Sequence, residues 1–207
     1  MGFGPGAIRH HGGYSAMLAH MPAEIARKLF SVDEYDRMAE VGILSENDRV
    51  ELIEGEILEM SPIGWRHIAC TDRANMLLAP RLPGKAIVRI QGPIRLSDNT
   101  KPQPDVILLN PREDFYATGG PVTKDALLVI EVAETSIRYD RGPKLAIYAK
   151  YGVHEVWIED LNTDMLLVFR DRNSSGYGTS LVLKPGDEIS PLAFPDMILL
   201  VSDLLGA

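Results

Sequence analysis

Eight consecutive residues, Ala126-Leu127-Leu128-Val129-Ile130-Glu131-Val132-Ala133, constrain the fold of this chain more than any other stretch. Apart from Glu131 the run is apolar, rich in β-branched residues and free of Gly and Pro. That is the signature of a strand covered on both faces. Such a strand needs a layer on either side, and the flanking signals run helix, several strands, helix, strands. This order predicts an α/β or α+β architecture. Within the run, strand alternation puts Glu131 on the face of Leu127, Val129 and Ala133. A glutamate there costs several kcal/mol unless it is paired or metal-bound. Two readings are open: a strand end where Glu131 meets water or an arginine, or a carboxylate that serves a cation.

The chain has 207 residues, a length that suits one domain. Hydrophobic residues make up 45% and charged residues 24%, the balance of a globular protein rather than a disordered one. No apolar run approaches the roughly 18 residues of a membrane span. The lone cysteine, Cys70, excludes an internal disulfide framework and a cysteine-built zinc site. A net charge of -8 weighs against a strong sequence-independent grip on nucleic acid. It leaves room for an enzyme that meets phosphate through a bound cation. Residues 1–22, rich in Gly and holding His10, His11 and His20 without ligand spacing, read as a flexible extension. Their apolar stretch is too short for an export signal, so the expected location is cytoplasmic. Residues 23–207 are expected to form a single domain.

Ser31 followed by Glu34 predicts a capped helix that Gly42 stops. Residues 48–60 predict a hairpin turning at Glu54–Gly55. A helix is expected from about His67 to Leu82, with Ile68, Met76, Leu77 and Leu78 as core candidates. Strands are expected at 85–91, 93–97, 105–109 and 126–133, with a loop over 110–125. A helix from about Gly142 to Tyr151 follows, and then strands at 154–160, 164–170 and 179–183. The proline-containing tail reads as short strands or loops. Its apolar residues Met197 to Leu205 suit packing on the body or a dimer interface.

Asp105 gives Glu131 a partner. It opens an apolar strand directly after Pro104, a strand start or an edge, and lies 26 positions before Glu131 on the preceding strand. Two carboxylates brought side by side repel unless a cation sits between them. Oxygen ligands suit Mg²⁺ or Mn²⁺. Downstream, Lys144, Tyr148 and Tyr151 share one helix face. Lys144 is either a solvated surface group or an ammonium aimed at a water or phosphate oxygen near Glu131.

These residues resemble the PD-(D/E)xK nuclease superfamily and, more closely, the Uma-two family of restriction endonuclease-like proteins. The likeness rests on Glu51-Leu52-Ile53-Glu54-Gly55-Glu56-Ile57, on Met60-Ser61-Pro62 with His67, and on Pro104-Asp105-Val106. It rests above all on the block from Glu131 to Asp160. It covers roughly residues 31–170. The resemblance implies a mixed central sheet flanked by helices with an added β region. It implies a Mg²⁺- or Mn²⁺-dependent endonuclease acting on DNA, expected as a homodimer. By motif, Asp105 and Glu131 match the metal-holding carboxylates. The superfamily's usual lysine position is Ala133, and Lys144 matches the lysine that this family carries on the following helix. Glu51 resembles a first-strand glutamate that helps hold the cation or orient a water; otherwise it is a solvent-facing hairpin residue. His67 reaches the site or caps its helix, the latter being the expectation. Asp140, Tyr148 and Ser136 match supporting positions, and Trp157 reads as core. Arg81, Lys85, Arg89, Arg95 and Lys101 form a basic stretch that could face DNA. The rival readings are a non-catalytic nucleic-acid-binding or assembly module on the same fold, and a metal enzyme acting on a smaller phosphodiester.

Overall fold

The computed structural model describes Met1, residues 26–45 and residues 47–207. The expected extension, with His10, His11 and His20, lies outside the described residues apart from Met1.

Helix α1 (Val32–Glu40) begins as its sequence dictates. Ser31 Oγ accepts from the Glu34 N–H, and the Glu34 carboxylate accepts from the Ser31 N–H. Strands β1 (Val50–Ile53) and β2 (Glu56–Glu59) then form an antiparallel hairpin. The turn residues Glu54 and Gly55 have φ of 52° and 84°, as a two-residue hairpin loop requires. Helix α2 spans Trp65–Leu78, shorter than expected, and ends in a 3₁₀ turn at Ala79–Arg81 containing Pro80.

The main sheet has six strands: β3 (Ile87–Ile90), β4 (Val106–Leu109), β5 (Ala126–Ala133), β6 (Val156–Asp160), β7 (Met165–Asn173) and β8 (Gly176–Leu183). They lie in chain order. Every neighbouring pair is antiparallel except β5 and β6, which are parallel. That one parallel pair requires a crossover. Helix α3 (Ile137–Tyr139), a π-helical segment (Asp140–Lys144) and helix α4 (Leu145–Tyr151) supply it as one continuous helical run. Gly152 ends the run at φ 98°. A small pair, β9 (Glu188–Ile189) with β10 (Leu199–Leu200), and helix α5 (Val201–Leu205) complete the chain.

The strand at 126–133 is covered on both faces, as its sequence demands. On one side, Leu128, Ile130, Val132 and Trp157 pack with Cys70, Ala74 and Leu78 of α2 and with Leu204 and Leu205 of α5. On the other, Ile107, Val129, Ala133, Val156 and Ile158 pack with Tyr148 of α4. Each such aliphatic side chain contributes about 1.5–3 kcal/mol by leaving water.

Several expectations are corrected. Residues 93–97 make only isolated bridges, Arg95 to Val122 and Ser97 to Thr100, and form no strand, although Ile94 and Leu96 are buried. Pro104 starts a strand in the sheet interior rather than an edge, since β4 lies between β3 and β5. Met76 and Ile68 are exposed, and the buried face of α2 is instead Cys70, Thr71, Ala74 and Leu78. Small residues at helical spacing define that face because the helix lies close on the sheet. The tail packs on the body through Leu199, Val201, Leu204 and Leu205, and ends in a helix that was not expected.

Candidate active site

Strand β5 and its neighbours bring the acidic residues of three separate segments to one cleft of about 300 Å³. Its walls include Glu51, His67, Gln103, Asp105, Glu131, Asp140 and Lys144.

Asp105 sits at the entrance to β4, and both of its oxygens are held. The Val132 N–H donates to Oδ2 at 2.8 Å, and His67 Nε2 lies 2.7 Å from Oδ1. A carboxylate oxygen accepts, so Nε2 carries the proton in this contact. His67 therefore orients Asp105 from the first turn of α2. It does not cap the helix, whose N-cap is Gly64.

Glu131, 3% exposed, takes up the cation-serving reading. Its Oε1 accepts from the Tyr148 hydroxyl at 2.5 Å and lies 3.0 Å from Lys144 Nζ. Lys144 is 1% exposed, not a solvated surface group. Its ammonium bridges Glu131 and Glu51, with Nζ again 3.0 Å from Glu51 Oε1. Glu51 is buried as well, and the Gln103 N–H donates to its Oε1 at 2.7 Å. Its Oε2 is buried without a partner in the protein. The solvent-facing reading of the hairpin glutamates holds only for Glu54, Glu56 and Glu59. Among these, Glu54 accepts from Lys150 and from the Tyr151 hydroxyl.

The helical run places Asp140, Lys144 and Tyr148 on one inward face. Pro143 has no N–H and cannot continue an α-helical ladder. The run widens there, with the Leu145 N–H reaching back to the Asp140 carbonyl. Single π turns of this kind recur at functional sites. Asp140, the fourth buried carboxyl, has its main-chain N–H bonded to the Ser136 carbonyl.

Burial dominates the electrostatics. It pushes the Glu131 carboxyl up to about 8, with Lys144 opposing and Asp140, Asp105 and Glu51 adding to the rise. Burial likewise raises Asp140, against the pull of Lys144. Burial works to lower Lys144, but Glu131, Glu51 and Asp140 overcome it and hold the ammonium well above its ordinary value. Lys144 is thus a permanent cation at neutral pH and not a base.

Does a divalent cation fit here? The donor set is carboxylate oxygen throughout, one buried oxygen of Glu51 is orphaned, and four acidic side chains surround a single ammonium. Those features fit a hard cation. Among the described residues no cluster of three or more His, Cys, Asp or Glu forms a closed metal cage. Such a site suits an ion that keeps most of its waters and takes one or two carboxylates, the habit of Mg²⁺.

Gln103, Arg49 and Glu134 line the cleft and were not singled out from sequence. For Gln103 the contact is through the main chain, which no side-chain pattern reveals. The basic stretch 81–101 does not form one free surface. Arg81 donates to the Ile198 carbonyl and Arg89 to the Phe115 carbonyl, while Arg95 pairs with Asp33 and Asp98, and Lys101 with Asp36. Exposed basic residues nearer the cleft are Arg138 and Arg141, on the helical run that forms one of its walls.

A mixed sheet with this acidic cleft is the framework of a restriction-endonuclease-like protein. The family model described as "Putative restriction endonuclease" (Uma2) matches residues 32–202, and the chain belongs to that family. Among solved structures, one described as "a putative nuclease belonging to DUF820 from Anabaena variabilis ATCC 29413" superimposes with a TM-score of 0.61. It shares 18% sequence identity, over 86% of this chain and 98% of that one, a likeness of fold. No curated protein matches the chain. Among the described residues no helix is long and apolar enough to cross a membrane.

Proposed function

We propose that this protein is a metal-dependent endonuclease that hydrolyses phosphodiester bonds in DNA, with Asp105 and Glu131 holding Mg²⁺ or Mn²⁺ and Lys144 assisting. The observation that carries the reading is the Lys144 ammonium, buried 3.0 Å from Glu131 in the cleft that also holds Asp105. When bound, the cation supplies charge neutralisation and a water of lowered pKa. Asp105 is fixed for ligation by His67 and the Val132 N–H, and Glu131 by Tyr148 and Lys144. Each carboxylate has lone pairs left over for a further partner.

Lys144, kept protonated by its neighbours, donates hydrogen bonds to a phosphate oxygen or to the charge that develops on it. Ala133, at the position of the superfamily's usual lysine, leaves that role open. The ammonium reaches the same region from the following helix, and position rather than sequence offset is what chemistry requires. Exposed Arg138 and Arg141 suit contacts to the phosphate backbone. A twofold dimer would present two such clefts to a duplex.

The rival is a non-catalytic nucleic-acid-binding module, in which the Glu51–Lys144–Glu131 bridge is only structural. Cleavage of plasmid and single-stranded DNA with Mg²⁺ or Mn²⁺ separates the two. Metal-dependent cutting that Asp105→Ala and Lys144→Ala both abolish is the expected result. Cutting that survives Asp105→Ala sinks the site assignment, and no cutting on any substrate favours the binding module.

A further inference from the structure

Trp65 is 86% exposed, an unusual position for so large an apolar side chain. It is the first residue of α2, directly after the loop Met60–Gly64 that forms one wall of the acidic cleft. The buried face of α2 is Cys70, Thr71, Ala74 and Leu78, so at 100° per residue Trp65 lies on the opposite, solvent face. Helical side chains lean toward the N-terminus of their helix. The indole therefore leans toward Gly64 and the cleft mouth rather than along α2. Beside it, Arg66 is bonded to the Leu161 carbonyl and to Asp164, which fixes this end of the helix. Packing does not explain the tryptophan: it takes no part in either buried cluster.

We propose that Trp65 is a stacking platform for an unpaired nucleobase next to the phosphate held in the cleft, which makes single-stranded or locally unpaired nucleic acid the preferred substrate. This rests on the nuclease reading above. A base that stacks on a side chain must offer a free face, which a continuous duplex does not. Every base has such a face, so the contact selects strandedness and not sequence. The occupant is a nucleobase rather than a protein partner because the ring adjoins a cleft already suited to a cation-bound phosphate. Arg138 and Arg141, exposed on the segment forming the far wall, add positive charge for the flanking backbone.

The protein carries its own reporter. Its other tryptophan, Trp157, is fully buried and donates to Glu155, so long-wavelength indole emission belongs to Trp65. The experiment uses the full chain carrying Asp105→Asn, so that bound strand is not cut, with Mg²⁺ present. It is titrated with a single-stranded oligothymidylate and with a fully paired duplex of the same length. The expected result is quenching of the exposed indole by the single strand. Trp65→Ala then weakens single-strand binding about 5- to 150-fold, the range of one lost base–aromatic stack. Trp65→Phe retains most of the affinity, and binding of the paired duplex changes little. Because the side chain is exposed, neither substitution threatens the fold. If Trp65→Ala binds the single strand as tightly as its parent, the stacking proposal is overturned, while metal-dependent cleavage by the unsubstituted chain leaves the nuclease reading standing. If no strand is bound by either variant and none is cut by the unsubstituted chain, both fall together.

Discussion

Lys144 shows how far a single side chain can depart from what its residue type suggests. A lysine on an isolated helix is an exposed group, yet here its ammonium is the only cation between two buried glutamates. Removing one member of such a bridge leaves the others uncompensated, which costs about 3–5 kcal/mol. Lys144→Met is therefore expected to lower unfolding stability by that order, measured by urea denaturation with chelator present. The loss should be largest at alkaline pH, where Glu51 and Glu131 are ionised. It should shrink in acid, where both are neutral. A loss independent of pH would place its origin in packing rather than charge. Glu159 on β6 is the converse case. It is fully buried beside Cys70, neither of its oxygens has a protein partner, and burial raises its carboxyl to about 8, with Asp105 adding to the rise. An acid with a raised folded pKa binds more protons folded than unfolded. Its contribution is present below the unfolded value, near 4.5, and is lost as pH rises toward about 8. Glu159→Gln should therefore flatten the fall in stability between pH 5 and 8, as read from melting temperatures across that window.

At the scale of elements, the hairpin that carries Glu51 depends on its turn. Gly55 has φ 84°, and a Cβ there would lie 2.7 Å from that of Leu29. Gly55→Val meets both penalties and is expected to cost about 1–3 kcal/mol. Reduced cleavage should accompany the lower melting temperature, because Glu51 moves with the turn. This hairpin, the capped helix α1 and the doubly covered strand β5 were all legible, since each is dictated by local chemistry: a capping box, a Glu-Gly turn, an apolar run. Asp105 and Glu131 were legible as anomalies in apolar strands. What was not legible depended on long-range packing. The helical run starts at Ile137 rather than near Gly142, because Pro143 is absorbed into a π turn instead of starting a helix. Residues 93–97 have strand composition but no neighbour to pair with. Glu51 looked like one of four hairpin glutamates. Its only distinguishing mark is that it alternates with Ile53, which is buried on the same face of β1.

For the whole molecule the cleft sets up a coupling among cation, proton and fold. Four carboxyls, Glu51, Asp105, Glu131 and Asp140, share one ammonium at the end of the sheet where β4 begins and β5 finishes. Folding assembles this charge, so a cation that binds the folded chain and not the unfolded one stabilises it by mass action. The gain is about 2.7 kcal/mol at a hundredfold excess over the dissociation constant. A ligand carboxyl must be ionised, and burial has raised Glu131 to about 8. Cation binding below that pH therefore displaces a proton, so affinity should fall about tenfold per pH unit from 8 toward 6. The measurement is the rise in melting temperature produced by Mn²⁺ at a fixed concentration, taken at pH 6, 7 and 8. The rise should grow with pH, and Glu131→Gln should remove both the rise and its pH dependence. An equal rise at pH 6 and 8, or one that survives Glu131→Gln, would locate the ion elsewhere on this acidic surface. The same series then separates the two roles of the site, because Lys144→Met should keep a cation-dependent rise while losing cleavage. That pattern is expected of an ammonium that acts on the substrate rather than on the metal.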